Sequence, residues 1–137
     1  MLVVADTPVW SLALRRHSSK LNETELHLVD VLSELILEGR VQMLGPIRQE
    51  VLSGIREDAV YRKIRDYLRA FDEPRLEVLD YEEAAQVSNR CRNRGIAGSA
   101  IDFLVCAAAL RRGHAVFTTD QDFRSIASVV PLRLFPA

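Results

Sequence analysis

The sequence predicts an α/β fold with a mostly parallel central sheet. Two short apolar runs, at residues 1–5 and 115–118, are rich in small and β-branched side chains, as in strands buried on both faces. The segments between them carry apolar residues at helical spacing, and strands that alternate with helices are typical of parallel sheets. Asp6 and Asp120 follow the two runs closely, at the strand ends where such sheets usually carry their sites.

Two helices are predicted before residue 40. Pro8 suits the first turn of a helix that follows the first strand. After a polar break at 17–21, Asn22 and Glu25 have the spacing of a capping box. Apolar residues then repeat at helical spacing as far as Gly39, and glycine is common just after a helix.

The middle of the chain predicts a strand, two helices and a further extended segment. A strand is expected at 41–44, and a third helix begins at Pro46. A fourth helix is expected at 58–71, followed by a short extended segment at 76–79. Asp80 is then predicted to cap a fifth helix, with Glu83 three residues later.

The C-terminal third predicts a buried helix and two strands. Residues 98–112 are apolar nearly all round, which is typical of a helix enclosed by the core. Strands at 115–118 and 132–135 flank a turn and short helix at 120–127. No linker, repeat or low-complexity segment interrupts the pattern, so we expect one domain over 1–137.

Composition narrows the class of protein. The 137 residues are 48% apolar and 27% charged, which suits a folded domain rather than a disordered chain. No basic segment precedes the first apolar run, and no apolar stretch approaches the ~20 residues that span a membrane. We therefore expect a cytoplasmic protein with no membrane partner. Cys91 and Cys106 lack the spacing of a zinc site, and Cys106 is expected to be buried.

The net charge of −1 argues against broad neutralisation of nucleic-acid phosphates, which usually needs a basic protein. Local basic patches or metal ions would have to attract any nucleic acid. The arginines do form clusters, although solvated helix faces explain such clusters equally well. The clusters are Arg15–Arg16, Arg62–Lys63–Arg65–Arg69, Arg90–Arg92–Arg94 and Arg111–Arg112.

Four acidic residues stand where an acid is unexpected: Asp6, Glu50, Asp102 and Asp120. Each has a structural alternative, because the three aspartates can cap helices and Glu50 can be an exposed helix residue. Gathered at one end of a sheet, however, they would repel each other unless a divalent cation relieved the repulsion. An oxygen-only ligand set favours Mg²⁺ or Mn²⁺ over zinc.

The histidines are not near these acids in sequence. His17, His27 and His114 fall in a loop, on a helix face and at a helix end, so we interpret all three as non-catalytic.

The acidic residues and their neighbours resemble the PIN domain family, and within it the VapC-type toxins of bacterial toxin–antitoxin pairs. Four segments agree with the family in order, spacing and local context, and together they extend over essentially the whole chain. The segments are Val3-Val4-Ala5-Asp6-Thr7, residues 49–54 around Glu50, residues 99–109 around Asp102, and residues 116–123 around Asp120.

This resemblance implies a three-layer α/β/α sandwich with a mostly parallel central sheet. It also implies a metal-dependent endoribonuclease that uses Mg²⁺ or Mn²⁺, in which Asp6, Glu50, Asp102 and Asp120 are the catalytic and metal-binding acids. Secondary candidates for the site are Asp122, Thr7, Ser99 and Thr119. Pro8 departs from the small polar residue that is usual in the family, which affects the first helical turn rather than the metal chemistry.

The partners implied by the resemblance are an RNA substrate, a cognate VapB-type antitoxin and a second copy of the chain in a homodimer. An acidic crevice also suits the guanidinium fork of an arginine from such an antitoxin.

Two other classes of function fit parts of the pattern. A catalytically inactive RNA-binding or scaffold module of the same fold would be free to lose acids, whereas the quartet here is intact. A phosphorylated signalling receiver also places acids at strand ends, but it needs a lysine late in the chain, and no lysine follows Asp120.

Overall fold

The computed structural model describes residues 1–136 and confirms the predicted α/β class. Three parallel strands, β1 (Val3–Ala5), β2 (Ala115–Phe117) and β3 (Leu134–Phe135), form a sheet in the order β1-β2-β3. Every residue of β1 and β2 is buried. Because successive side chains of a strand point to opposite faces, both faces of the sheet are covered, as in a three-layer arrangement.

The helices surround this sheet and are as follows: α1 (Thr7–Leu14), α2 (Glu23–Leu37), α3 (Gly45–Leu52), α4 (Asp58–Leu68), α5 (Val78–Asn93), α6 (Ala100–Arg112) and α7 (Gln121–Ala127). A 3-10 turn at Ser18–Lys20 occupies the polar break between α1 and α2. The capping box predicted for α2 is confirmed, since Asn22 Oδ1 accepts from the Glu25 N–H at 2.8 Å and Glu25 Oε1 accepts from the Asn22 N–H at 3.1 Å.

The strand predicted at 41–44 is wrong beyond its first residue. Val41 makes a parallel bridge to Val3, and the Gln42 N–H donates to the Val3 carbonyl at 2.8 Å. Met43 and Leu44 then leave the sheet, because Leu44 is the N-cap of α3. Both side chains are buried in the core, and a short buried apolar run has the same pattern in a strand and in a core-lining loop.

The start of α5 also differs from the prediction. The helix begins at Val78, so residues 78 and 79 are not extended, and Glu77 rather than Asp80 is the N-cap. Asp80 lies in the first turn, where its Oδ2 accepts from the Glu77 N–H at 2.7 Å. Glu77–Asp80 and Asp80–Glu83 both have the spacing of a capping box, so the sequence alone fits either helix start. The long-range partners of Asp80 on α6, Arg111 and Arg112, are what distinguish the two.

Other elements are shorter than predicted. The helix expected at 58–71 ends at Leu68, and Phe71 instead packs edge-on against Trp10 with ring centroids 5.2 Å apart. Ser99 is the N-cap of α6, so this helix begins at Ala100 rather than at 98. The strands expected at 115–118 and 132–135 are reduced to β2 and β3.

Buried apolar side chains form a cluster that joins the sheet to the helices on both faces. The predicted burial of α6 is confirmed, because residues 105–109 are all fully buried, including Cys106. Trp10 is the largest buried side chain, and its Nε1–H donates to the Ala5 carbonyl at 3.0 Å. Among residues 1–136, no helix is both long enough and apolar enough to cross a membrane.

Candidate active site

The candidate site begins where β1 and β2 end. Asp6 directly follows β1, and its N–H donates to the Phe117 carbonyl at the end of β2 with an N–O distance of 2.8 Å. Only 3% of Asp6 is exposed. A carboxylate so deeply buried needs hydrogen-bond donors or a cation to offset the loss of hydration.

Thr118 is the polar partner of Asp6 and was not among the predicted site residues. Its hydroxyl donates to Asp6 Oδ2 at 2.8 Å, and its Oγ1 accepts from the Asp120 N–H at 3.0 Å. Thr119, which the resemblance favoured at this position, is exposed. A signal was available, because a threonine whose hydroxyl accepts from the N–H two residues later is a known turn motif, and Thr118 stands two residues before Asp120.

Glu50 reaches the site from α3. Thr7, the first residue of α1, donates a hydrogen bond from its hydroxyl to Glu50 Oε1 at 2.7 Å. Glu50 is half-buried. The structure therefore places two of the predicted residues, Thr7 and Glu50, in direct contact across two helices.

Asp102 lies in the first turn of α6 and completes a capping box with Ser99. The Ser99 Oγ accepts from the Asp102 N–H at 3.0 Å, and Asp102 Oδ2 accepts from the Ser99 N–H at 3.2 Å. The Asp102 carboxylate can still accept further bonds or bind a cation while it caps the helix, because a carboxylate offers about four acceptor sites on two oxygens. The cap fixes the carboxylate at the helix end that faces the other acids.

Asp120 and Asp122 complete the acidic group. Asp120 is the N-cap of α7, and its Oδ1 accepts from the Asp122 N–H at 2.9 Å. One carboxylate oxygen from each of Asp102, Asp120 and Asp122 lies within 4.8 Å of the others. These three side chains could share a single metal ion.

Electrostatic repulsion links this group to Asp6 and Glu50. Burial raises the pKa of Asp6 to about 6, the Thr118 hydrogen bond opposes the rise, and the negative charges of Asp102 and Glu50 add to it. Burial also raises the pKa of Asp102, against the hydrogen bonds from Ser99, and the charges of Asp120 and Asp122 raise it further. Asp102 therefore raises the pKa of Asp6 on one side of the cluster, and its own pKa is raised by Asp120 and Asp122 on the other.

The ligand chemistry of this cluster suits a hard divalent cation. The structure brings together all four predicted acids with Asp122, and their potential ligand atoms are oxygens, as Mg²⁺ and Mn²⁺ prefer. The histidines lie elsewhere. His17 caps the 3-10 turn, His27 is exposed on α2, and His114 follows the opposite end of α6 from Asp102.

A parallel α/β sheet with clustered carboxylates at the carboxyl ends of its strands defines a class of α/β domains with an acidic site that could hold a metal ion. Within that class, the profile of the PIN domain matches residues 3–129. The chain belongs to the PIN domain family.

Individual relatives agree with this assignment over almost the full length. The chain is 28% identical to the VapC ribonuclease Mb1587 of Mycobacterium bovis and 28% identical to ribonuclease VapC11 of Mycobacterium tuberculosis. Each alignment covers 96% of this chain and 96% of the relative.

Solved structures share the fold at lower sequence identity. FitAcB from Neisseria gonorrhoeae superposes with a TM-score of 0.73 at 20% identity, covering 98% of this chain and 96% of that one. VapBC2 from Rickettsia felis, bound to a DNA fragment from their promoter, gives a TM-score of 0.75 at 13% identity, with coverages of 98% and 97%. These similarities confirm the predicted PIN-like architecture.

Proposed function

We propose that this protein is a metal-dependent endoribonuclease and the toxin component of a type II toxin–antitoxin pair. The observation that carries the proposal is the convergence of five carboxylates on the strand ends, with Asp102 between its acidic neighbours. Family membership and the two relatives named as ribonucleases support RNA as the substrate. An RNA substrate would place its action in the cytoplasm.

Asp6 and Asp102 would be the principal ligands of a Mg²⁺ or Mn²⁺ ion, with Glu50 and Asp120 completing the site. Asp122 competes with Asp120 for the fourth position, since both lie within reach of Asp102. When bound, such an ion lowers the pKa of a coordinated water and offsets the charge that develops on a phosphodiester.

The surrounding residues of the chain hold these ligands in position. Thr118 fixes one oxygen of Asp6, Thr7 fixes one oxygen of Glu50, and Ser99 fixes the carboxylate of Asp102. Hydrogen bonds of this kind orient acidic ligands and limit the reorganisation needed when an ion or a water molecule binds. Thr7 and Ser99 would thus act as positioning residues rather than as ligands.

Substitution of the acids tests the assignment. Asp102→Asn keeps an oxygen that can accept from the Ser99 N–H, so we expect the fold to persist. Cleavage of RNA in Mn²⁺ should fall by more than about 100-fold, because removing even a residue that orients a ligand costs about 10- to 100-fold. The rate is measured on a labelled single-stranded RNA, with thermal unfolding as the control for folding.

Asp122→Asn serves as the matched variant, and we expect it to lose less activity than Asp120→Asn. An equal or greater loss would move the fourth role from Asp120 to Asp122. If Asp102→Asn cuts RNA as fast as the parent chain, the quartet is wrong. A parent chain that binds Mn²⁺ and RNA but cuts none would instead be the inactive RNA-binding module.

The proposed inhibitor is a VapB-type antitoxin encoded beside this chain. An arginine side chain from such a partner could pair with the acidic cluster, because a guanidinium binds carboxylates in a bidentate manner.

We further propose a homodimer, for which the first turn of α5 offers exposed apolar side chains. Val78 is 73% exposed, Leu79 57% and Tyr81 55%. The molar mass in solution, measured by light scattering for the parent chain and Leu79→Asp, tests the dimer.

A further inference from the structure

A cleft of about 270 Å³ lies between the C-terminal end of α5 and the loop that leads into α6. None of the five carboxylates lines it, but residues 95–98, which do, lead directly into Ser99 and α6. The cleft is lined by Ser88, Arg92, residues 95–98 and Phe103.

The chain segment that supplies most of this lining is positively charged, although the whole chain has a net charge of −1. Residues 84–101 contain Arg90, Arg92 and Arg94 and no acidic residue. All three arginines are exposed, and within residues 1–136 no carboxylate oxygen lies within 4.0 Å of their charged nitrogens.

The other arginine clusters differ in this respect. Arg16 pairs with Glu25, and Arg62, Arg65 and Arg69 pair with acids of their own helix. The C-terminal pair of α6, Arg111 and Arg112, contacts Asp80. The cluster at the end of α5 is therefore the one that structural ion pairs do not explain in the described chain.

The cleft also offers hydrogen-bond donors that the described fold does not use. Among residues 1–136, the Ser88 hydroxyl, the Arg92 guanidinium and the N–H groups of Ala97 and Gly98 make no hydrogen bond to another residue. Gly98 leaves room for the close approach of the Phe103 ring. A Cβ at this position would stand 2.9 Å from Phe103 Cζ, so a larger residue would collide with the wall of the cleft.

The cleft adjoins the acidic site through a single residue. Gly98 lines the cleft, and the N–H of the next residue, Ser99, donates to Asp102 Oδ2. Consecutive Cα atoms are about 3.8 Å apart, so the lining of the cleft directly adjoins the residue that holds the Asp102 carboxylate.

We propose that this cleft binds a backbone phosphate of the RNA substrate, next to the phosphate at the acidic cluster. Arg92 supplies the charge, and Ser88 with backbone N–H groups of the lining supplies further donors to the phosphate oxygens. The proposal rests on RNA being the substrate. It explains how a chain with almost no net charge holds an anionic polymer beside a cluster of acids.

Binding of a fluorescein-labelled single-stranded RNA, measured by anisotropy in Mg²⁺, tests the proposal. The parent carboxylates are kept throughout so that the metal site is intact, and the RNA carries phosphorothioate linkages, which slow its hydrolysis. Adding Arg92→Gln should weaken binding about ten-fold, since one charged hydrogen-bonding partner is lost. The slope of log Kd against log salt should fall by about 0.7, as expected for one phosphate contact on a single strand.

Further variants separate a local contact from a general charge effect. Arg62→Gln, also exposed but paired with Asp58, removes the same charge from α4 and should change Kd by less than two-fold. Ser88→Ala should weaken binding by about two- to five-fold. Thermal unfolding checks that each variant is folded. The proposal is overturned if Arg92→Gln and Arg62→Gln give the same Kd and salt slope, or if the RNA does not bind.

RNA cleavage by the chain with Asp102 intact distinguishes this proposal from the proposed function. If RNA is cut but Arg92→Gln has no effect on KM or salt slope, the cleft is wrong and the nuclease stands. If RNA is bound through Arg92 but never cut, the cleft stands and the nuclease is wrong.

Discussion

Asp6 combines an ionisable side chain with nearly complete burial at the end of β1. The Thr118 hydroxyl donates to one of its oxygens, but burial, and to a lesser extent the charges of Asp102 and Glu50, disfavour its ionisation. Without a cation, protonation therefore relieves this site, and with a cation the carboxylate form is favoured. The proton and the metal ion compete for the same oxygens.

The pH dependence of stability follows from the raised pKa of Asp6. Because its folded-state pKa is about 6 and the ordinary value is 3.8, its contribution to stability is fully present below about pH 4 and is lost as pH rises through 6. We expect Asp6→Asn, in EDTA, to be more stable than the parent chain at pH 7.5 by up to about 3 kcal/mol. The advantage should shrink on lowering the pH to 4.5. Urea unfolding at both pH values measures it, and an advantage that grows at pH 4.5 would contradict the raised pKa.

Thr118 provides a second test at this scale. Thr118→Val keeps the shape of the side chain but removes the bond to Asp6 and the acceptor for the Asp120 N–H. We expect a loss of about 1–2 kcal/mol in the free energy of unfolding and about ten-fold weaker Mn²⁺ binding. Thr118→Ser retains the hydroxyl and should restore most of both. Mn²⁺ affinity is measured by calorimetry, and a Val variant that binds Mn²⁺ as tightly as the Ser variant would refute the positioning role.

These residues show how far a site can be predicted from sequence. An acid at the end of a buried strand is unusual enough to be noticed, and so is an acid in the first turn of an apolar helix, as at Asp102. Thr118 and Thr119 are adjacent and chemically identical. Only the backbone geometry after β2 determines which hydroxyl faces Asp6.

At the scale of elements, the pairing of α5 with α6 holds in place the helix that bears Asp102. Asp80, in the first turn of α5, is fully buried, and its oxygens accept from Arg111 at 2.8 Å and from Arg112 at 2.7 Å in the last turn of α6. The two helices are thus antiparallel, with Asp102 at the other end of α6. Hydrogen bonds from Arg112 and Arg111 hold the pKa of Asp80 well below its usual range, against the effect of burial.

Asp80→Asn should weaken this helix pair. We expect a loss of about 3 kcal/mol at pH 7, because two arginines would be left without their buried charge partner. Since the folded-state pKa of Asp80 is lowered, its contribution is present above about pH 4 and is lost as the pH falls further. The difference between the variant and the parent chain should therefore narrow at pH 3.

Urea unfolding at the two pH values measures the effect. Asp66→Asn is the control, because Asp66 has its side chain 60% exposed and pairs with Arg65 and Arg69 only at the surface, where such pairs contribute about 0–1 kcal/mol. Equal losses for the two variants would show that burial of Asp80 adds nothing.

The elements were predictable where the deciding signals are local. The capping box at Asn22 and the buried pattern of α6 were sufficient to predict these two helices, although α6 begins two residues later than predicted. The start of α5 was not predictable, because Glu77–Asp80 and Asp80–Glu83 have the same spacing and the deciding partners of Asp80 lie about thirty residues later in the chain.

At the scale of the whole molecule, function depends on where charge is placed rather than on its sum. The chain has a net charge of −1, yet five carboxylates meet at one edge of the sheet and three exposed arginines lie at the end of α5. Without a divalent ion, the acidic edge would repel the phosphates of RNA. RNA cleavage at this edge therefore requires that the acids bind such an ion.

Direct measurement of Mn²⁺ binding by electron paramagnetic resonance tests this requirement most simply, because bound Mn²⁺ loses the sharp signal of the free ion. We expect the parent chain to bind Mn²⁺, Asp102→Asn to lose most of that binding, and the exposed control Asp66→Asn to retain it. If the parent chain leaves the Mn²⁺ signal unchanged, or if Asp102→Asn binds the ion as well as the parent does, the carboxylates do not form a metal site.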